Sequence, residues 1–168
     1  MTPPLYTASV PVFRHYLGRA QHLLDSAGGT PGCLTARLAP DMFTCAEQFA
    51  TAAGFALRGT YPLTGQPVPD FPDLGLDLHG VKARVAFAQN QLDRLEEADF
   101  DGAETRRVTH RAGFAELDQD GQTYLTLFAM PNFLFHLSMG FALMRQSGAE
   151  IGKADFDGLH DYPHGFRF

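Results

Sequence analysis

The sequence predicts an all-α domain, a four-helix bundle with a short β-hairpin before the last helix. Three observations predict it. Apolar residues recur at steps of three and four in four segments, a proline-rich connection follows the second, and strand-like alternation precedes the fourth. At 168 residues the chain reads as one domain, residues 1–168, long enough to bury a real core. Hydrophobic content of 45% and aromatic content of 12%, with fifteen Phe and no Trp, suit a globular chain.

The first helix is expected to begin near Ser9 as N-cap, with Pro11 tolerated in its opening turn. Val10, Phe13, Leu17, Ala20 and Leu24 form its apolar face, and Gly28-Gly29 stops it. Pro40-Asp41 marks the start of the second, where Asp41 is placed to cap the following amides. Met42, Cys45, Phe49, Ala53 and Ala56 are its stripe, and Gly59 closes it. Residues 60–73 hold four prolines and read as an ordered connection, not a helix. The third helix spans about residues 77–97, with Val81, Val85, Ala88, Leu92 and Leu95 at clean helical spacing. Lys82, Arg84, Asp93, Arg94 and Glu96 are available for its solvated side.

Residues 99–122 break the helical pattern. Val108 and His110 alternate with Arg107 and Thr109, and Gly113 precedes Phe114-Ala115-Glu116-Leu117, which predicts the hairpin. The fourth helix, residues 124–145, reads YLTLFAMPNFLFHLSMGFALMR and contains Pro131, which should kink it or restart it. Gly148 ends it, and residues from 151 onward look like an extended tail laid over the bundle.

A formal charge of -6 with scattered basic residues argues against a nucleic-acid partner, since phosphate binding needs clustered Lys and Arg. Cys33 and Cys45 are twelve apart with no CxxC pair and no zinc-finger spacing. The stretch MTPPLYTASVPVF lacks the features of a secretory leader. Residues 125–144 approach the length of a membrane span but include Thr126, Pro131, Asn132, His136 and Ser138. A core helix is the better reading, and no membrane partner is expected. The expected location is cytoplasmic.

Asn132 and His136 lie four residues apart in that apolar helix, so they share a face. Burying an imidazole and an amide without partners is costly, so another element must answer them. Asp41 and Gln48 of the second helix are the candidates. The four residues form a candidate polar cluster or ligand pocket between facing helices.

Several motifs also carry a resemblance. ARLAPDMF (residues 36–43) with Gln48, FDGAE (100–104), YL (124–125), PNFLFH (131–136) and GKADF (152–156) occur in this order. Together they resemble an uncharacterised bacterial domain-of-unknown-function family, numbered nineteen ninety-three, within the wider DinB/YfiT-like superfamily. The resemblance runs from about Tyr6 to Phe156 and implies a four-helix bundle, often a homodimer. It also implies a divalent metal such as zinc or nickel held by three histidines, one from the second helix and an HxxxH pair from the fourth. Members include transferases and isomerases that use low-molecular-weight thiols. Here HxxxH maps onto Asn132 and His136, and the second helix has Asp41 and Gln48 but no histidine.

These residues leave two roles open for His136. It is a metal ligand or base oriented by Asp41, or a core histidine hydrogen-bonded to Asn132, Asp41 or a backbone carbonyl. One imidazole, one carboxylate and amides make a weak donor set for zinc or nickel, which favours the structural role. Asp41 is more simply a helix cap, and Gln48 a buried amide. His15, His22 and His79 read as surface residues. His160 and His164 in the tail are also expected in solvent, though they could gather a zinc or nickel ion. Cys45 reads as a small buried hydrophobe and Cys33 has no assigned role. Phe133, Leu137, Phe141 and Met144 could line an apolar pocket, but plain core packing or a face paired with a second subunit is the commoner use.

The reading is therefore a bundle without the three-histidine centre, binding a small-molecule ligand or serving assembly. The alternative is a metal- or thiol-dependent transferase or hydrolase using His136 as ligand or base. The sequence specifies no reaction.

Overall fold

The computed structural model describes residues 2–163. Helix α1 spans Pro4–Ala27 and begins earlier than Ser9, because Pro4 sits at a first-turn position that needs no amide donor. Ser9 is buried inside the helix and its Oγ donates to the Leu5 carbonyl at 2.5 Å. A single 3₁₀ turn, Cys33–Thr35, leads to α2, Cys45–Arg58.

Helix α2 starts three residues later than the Asp41 cap implied. Thr44 is its N-cap, and Thr44 and Glu47 form a reciprocal capping box. The Glu47 carboxylate accepts from Thr44 N at 2.7 Å, while Glu47 N donates to Thr44 Oγ1 at 3.2 Å. Two satisfied donors outcompete one carboxylate placed further upstream. Asp41 is left exposed in the preceding turn.

The proline-rich connection contains one short helix, α3, Tyr61–Thr64, ended by Gly65 at φ 75°. Helix α4, Leu78–Leu92, begins close to the expected residue 77, and Asp77 is its N-cap, its carboxylate accepting from Gly80 N at 2.7 Å. It stops at Leu92, short of residue 97, and a 3₁₀ turn, Glu97–Phe100, follows. Strands β1, Arg107–Ala112, and β2, Ala115–Asp120, pair antiparallel from Arg107↔Asp120 to Ala112↔Ala115. Gly113 at φ 60° makes the two-residue turn possible, with Phe114 fully in solvent.

A short turn, α5 (Gly121–Thr123), runs into a π-helical segment, Tyr124–Ala129, and then into α6, Met130–Gln146. The helix therefore neither restarts nor breaks at Pro131. The wider π turn places Pro131 at the first positions of the α-helical stretch, where a missing amide is tolerated. Within the helical run Gly121–Gln146 an 18-residue window reaches a mean hydropathy of 1.5, so the run is long and apolar enough to cross a membrane by length and composition. It contributes Phe133, Leu137, Leu143 and Met144 to the core and packs along α2.

Helices α1 and α2 also pack on α4, so the fully buried Phe13, Leu17, Phe49, Val85 and Phe133 meet in one core. The Phe13 and Phe133 rings meet edge to face at 4.9 Å. The tail is not wholly extended. Helix α7, Lys153–Asp157, lies on α1. His15 and His22 are tied into this contact. His15 Nε2 bonds the Asp157 carbonyl at 2.7 Å, and His22 Nε2 lies 2.9 Å from Asp155 Oδ1. His160 is exposed and its Nδ1 lies 2.5 Å from Asp157 Oδ2, whereas His164 lies outside the described residues.

Candidate functional site

Of the four residues expected to cluster, the structure joins Gln48 and His136. Gln48 is the fourth residue of α2 and only 2% exposed. His136 projects from the middle of α6, and its Nδ1 lies 2.7 Å from Gln48 Oε1. A carboxamide oxygen can only accept, so Nδ1 donates, which fixes the tautomer with the lone pair on Nε2. Nε2 has no hydrogen-bond partner among the described residues and reaches solvent, since His136 is only half-buried.

Two aromatic rings stack on the imidazole. Phe43 stacks at 5.9 Å with an interplanar angle of 23°, and Phe55 at 5.6 Å and 17°. Phe43 is itself 47% exposed, so this part of the stack faces solvent. Burial among these groups pushes the His136 pKa below its usual value of 6.5, because the charged ring loses hydration that aromatic faces and one amide oxygen do not replace. The ring is neutral at pH 7 with one basic nitrogen presented outward.

Asn132 does not join the pair. Its amide donates to the Phe128 carbonyl of its own helix at 2.7 Å, which satisfies a backbone acceptor beside the π segment and Pro131. Asp41 is exposed, and no hydrogen bond or ion pair joins it to His136 among the described residues. The cluster is thus a pair on facing helices and not a foursome. Cys45, at the start of α2, is buried with its thiol donating to the Gly140 carbonyl at 3.6 Å, and burial raises its pKa. Such a thiol is no nucleophile at neutral pH.

The sequence reading missed three groups that matter here. Phe43, which entered only as the end of the ARLAPDMF motif, and Phe55, which was not singled out, stack on the imidazole. His110 of β1 is the third. Its Nε2 contacts Gln119 Oε1 at 2.9 Å, its ring packs on Phe128 at 4.2 Å and Tyr124 at 4.8 Å, and its Nδ1 is buried without a partner. A histidine alternating with Val108 in a hairpin gives no sign of that packing.

The site does not fit a three-histidine metal centre. Among the described residues no three His, Cys, Asp or Glu side chains converge as a donor group. The position that would complement His136 from α2 is occupied by an amide that uses its oxygen on Nδ1.

Mostly helical architecture with a two-stranded hairpin ahead of the last long helix defines a DinB-like fold. It matches the crystal structure of a DinB family member protein from Shewanella denitrificans with a TM-score of 0.83 and 29% identity, over 95% of this chain and 94% of that one. Residues 5–157 match the domain of unknown function DUF1993, and the chain belongs to that family. No curated protein matches the chain.

Proposed function

We propose that this chain is a DinB-like four-helix bundle without the three-histidine centre, which binds a small molecule at Gln48 and His136. One observation carries the reading: a neutral imidazole, held by a buried amide on one nitrogen and stacked with Phe43 and Phe55, offers the other nitrogen to solvent. Such a site accepts a hydrogen bond from a ligand hydroxyl or N–H while Phe43 packs on an apolar part of the same ligand. Nitrogen-detected NMR of the imidazole tests it. The expected spectrum shows protonated Nδ1 and bare Nε2, and hydroxyl- or NH-bearing fragments that bind should move Nε2. Fragments that bind only elsewhere, or a proton found on Nε2, would sink the reading.

A second reading, a transferase or hydrolase with His136 as base or ligand, draws on the same lowered pKa and fixed tautomer, which suit a general base. Stoichiometric zinc or nickel in tag-free protein, lost on His136→Ala, would favour its metal-dependent form.

Assembly as a homodimer is part of the proposal. Leu127, Pro131, Phe135, Ser138 and Ala142 form an exposed stripe along the last long helix at steps of four and three. Leu127 is 73% exposed and Phe135 51%. A stripe of this kind supports pairing with a second copy. Light scattering should give the mass of two chains, falling to one in Phe135→Glu; one chain at micromolar concentration would refute it. We read the location as cytoplasmic, with neither nucleic acid nor membrane as partner.

A further inference from the structure

Beside the imidazole site, the connection that leads into α4 passes over the first half of α2. The two bound an open groove of about 390 Å³. Phe43, Ala50, Thr51, Leu74 and Leu76 supply its mainly apolar lining, and Arg84 of α4 reaches into it. The volume falls in the range of about 300–1,000 Å³ common to small-ligand sites.

Arg84 is the uncommon group here. Its guanidinium carbon sits 4.9 Å from the centre of the Phe71 ring, and Nη2 donates to the Leu74 carbonyl at 3.3 Å. Its Nε is buried with no hydrogen-bond partner. Among the described residues no carboxylate pairs with it, whereas Arg14, Arg37 and Arg107 each have one. The acid that shares the groove is already engaged. Glu47 accepts from Thr44 N and Oγ1 at 2.7 and 2.8 Å and lies 3.5 Å from Arg37. Asp77 at the end of the connection is occupied by Gly80 N. The groove therefore holds one carboxylate matched by Arg37 and one guanidinium with no ion-pair partner among the described residues, held by stacking on Phe71.

We propose that this groove binds a molecule with an apolar chain ending in a carboxylate. Arg84 takes the carboxylate, and Phe43, Leu74 and Leu76 cover the chain. An aliphatic stem alone would not need an arginine, and a free anion would not need the apolar walls. The guanidinium fork matches a carboxylate in two parallel hydrogen bonds, so charge and shape select together. The groove adjoins the imidazole site through Phe43 but uses none of its polar groups.

Calorimetric titration of the full chain with octanoate, octanol and octylamine tests the proposal. Octanoate should bind about tenfold or more tightly than either of the others. Arg84→Met keeps the stem, should weaken octanoate by about tenfold, and should leave octanol unchanged. Octanol or octylamine binding as well as octanoate, no octanoate binding at all, or an Arg84→Met protein that binds octanoate normally would each overturn it. The ligand comparison needs no variant, so it stands even if Arg84→Met does not fold. His136 resonances followed in the same titration keep the two sites apart: an Arg84-dependent octanoate response upholds the groove whatever the fragments do at Nε2.

Discussion

Phe49→Ala is expected to destabilise the protein by about 3–5 kcal/mol, the range for a buried phenylalanine cut back to alanine. For a chain of this length that is a fall in Tm of roughly 6–20 °C. Phe49 is fully buried on α2, next in sequence to Gln48, and its ring lies against Gly140 of α6. Gly140 permits that approach: a Cβ there would stand 2.8 Å from the Phe49 ring. Gly140→Ala in the native background should therefore carry an overpacking penalty of about 1–3 kcal/mol, against a gain of about 1 kcal/mol in helix propensity. With Phe49 already cut to alanine, the new methyl enters the space the ring has left, and the penalty should vanish. Propensity is common to both backgrounds and cancels in the cycle. Thermal melts of the four proteins measure the coupling, and additivity within about 0.5 kcal/mol would show that ring and glycine are not packed together.

The long helices were legible because their stripes are regular. Phe13, Leu17 and Leu24 on α1, and Val81, Val85, Ala88 and Leu92 on α4, are buried as their spacing requires. Helix ends were harder. The Thr44 to Glu47 box is written plainly in the sequence, yet Pro40-Asp41 offered a competing start, and only the finished pair of hydrogen bonds decides between them. Pro131 was weighed as a breaker because a proline inside an α-helix strands a carbonyl. The π turn ahead of it resolves the conflict by changing the hydrogen-bond register, a compensation with no local sequence signature. The tail was opaque for another reason. Arg19 donates to the Asp155 carbonyl at 2.9 Å across 136 residues, and such pairings depend on the assembled bundle.

At the site, the argument that a polar group in an apolar helix needs a partner on the facing helix led to Gln48 and His136. It overreached where a nearer solution existed. Asn132 bonds back four residues to Phe128, as amides near a helix irregularity can. Asp41 was drawn in on the assumption that α2 began there. The stacking of Phe43 and Phe55 on the imidazole joins a loop to two helices and has no periodicity to read.

His136→Ala is expected to cost about 1–3 kcal/mol, because it strands the Gln48 carboxamide where water does not reach. Replacing both partners by apolar residues of similar shape, Gln48→Leu with His136→Phe, should recover most of that loss. The two results together separate a buried network from simple loss of packing. If cavity formation dominated, the pair of apolar residues would help, but His136→Ala would cost the same with Leu at position 48. The pH dependence supplies a further sign. The folded-state pKa of His136 lies below 6.5, so the unfolded chain binds more protons as pH falls through that value. The contribution of His136 is complete above 6.5 and shrinks on acidification toward the lower folded value. The stability gap between the native protein and His136→Ala should therefore narrow below pH 6.5 in chemical-denaturation curves. A gap that widens would mean that the folded chain prefers the charged imidazole, which the ring's burial opposes and which no carboxylate among the described residues is placed to favour.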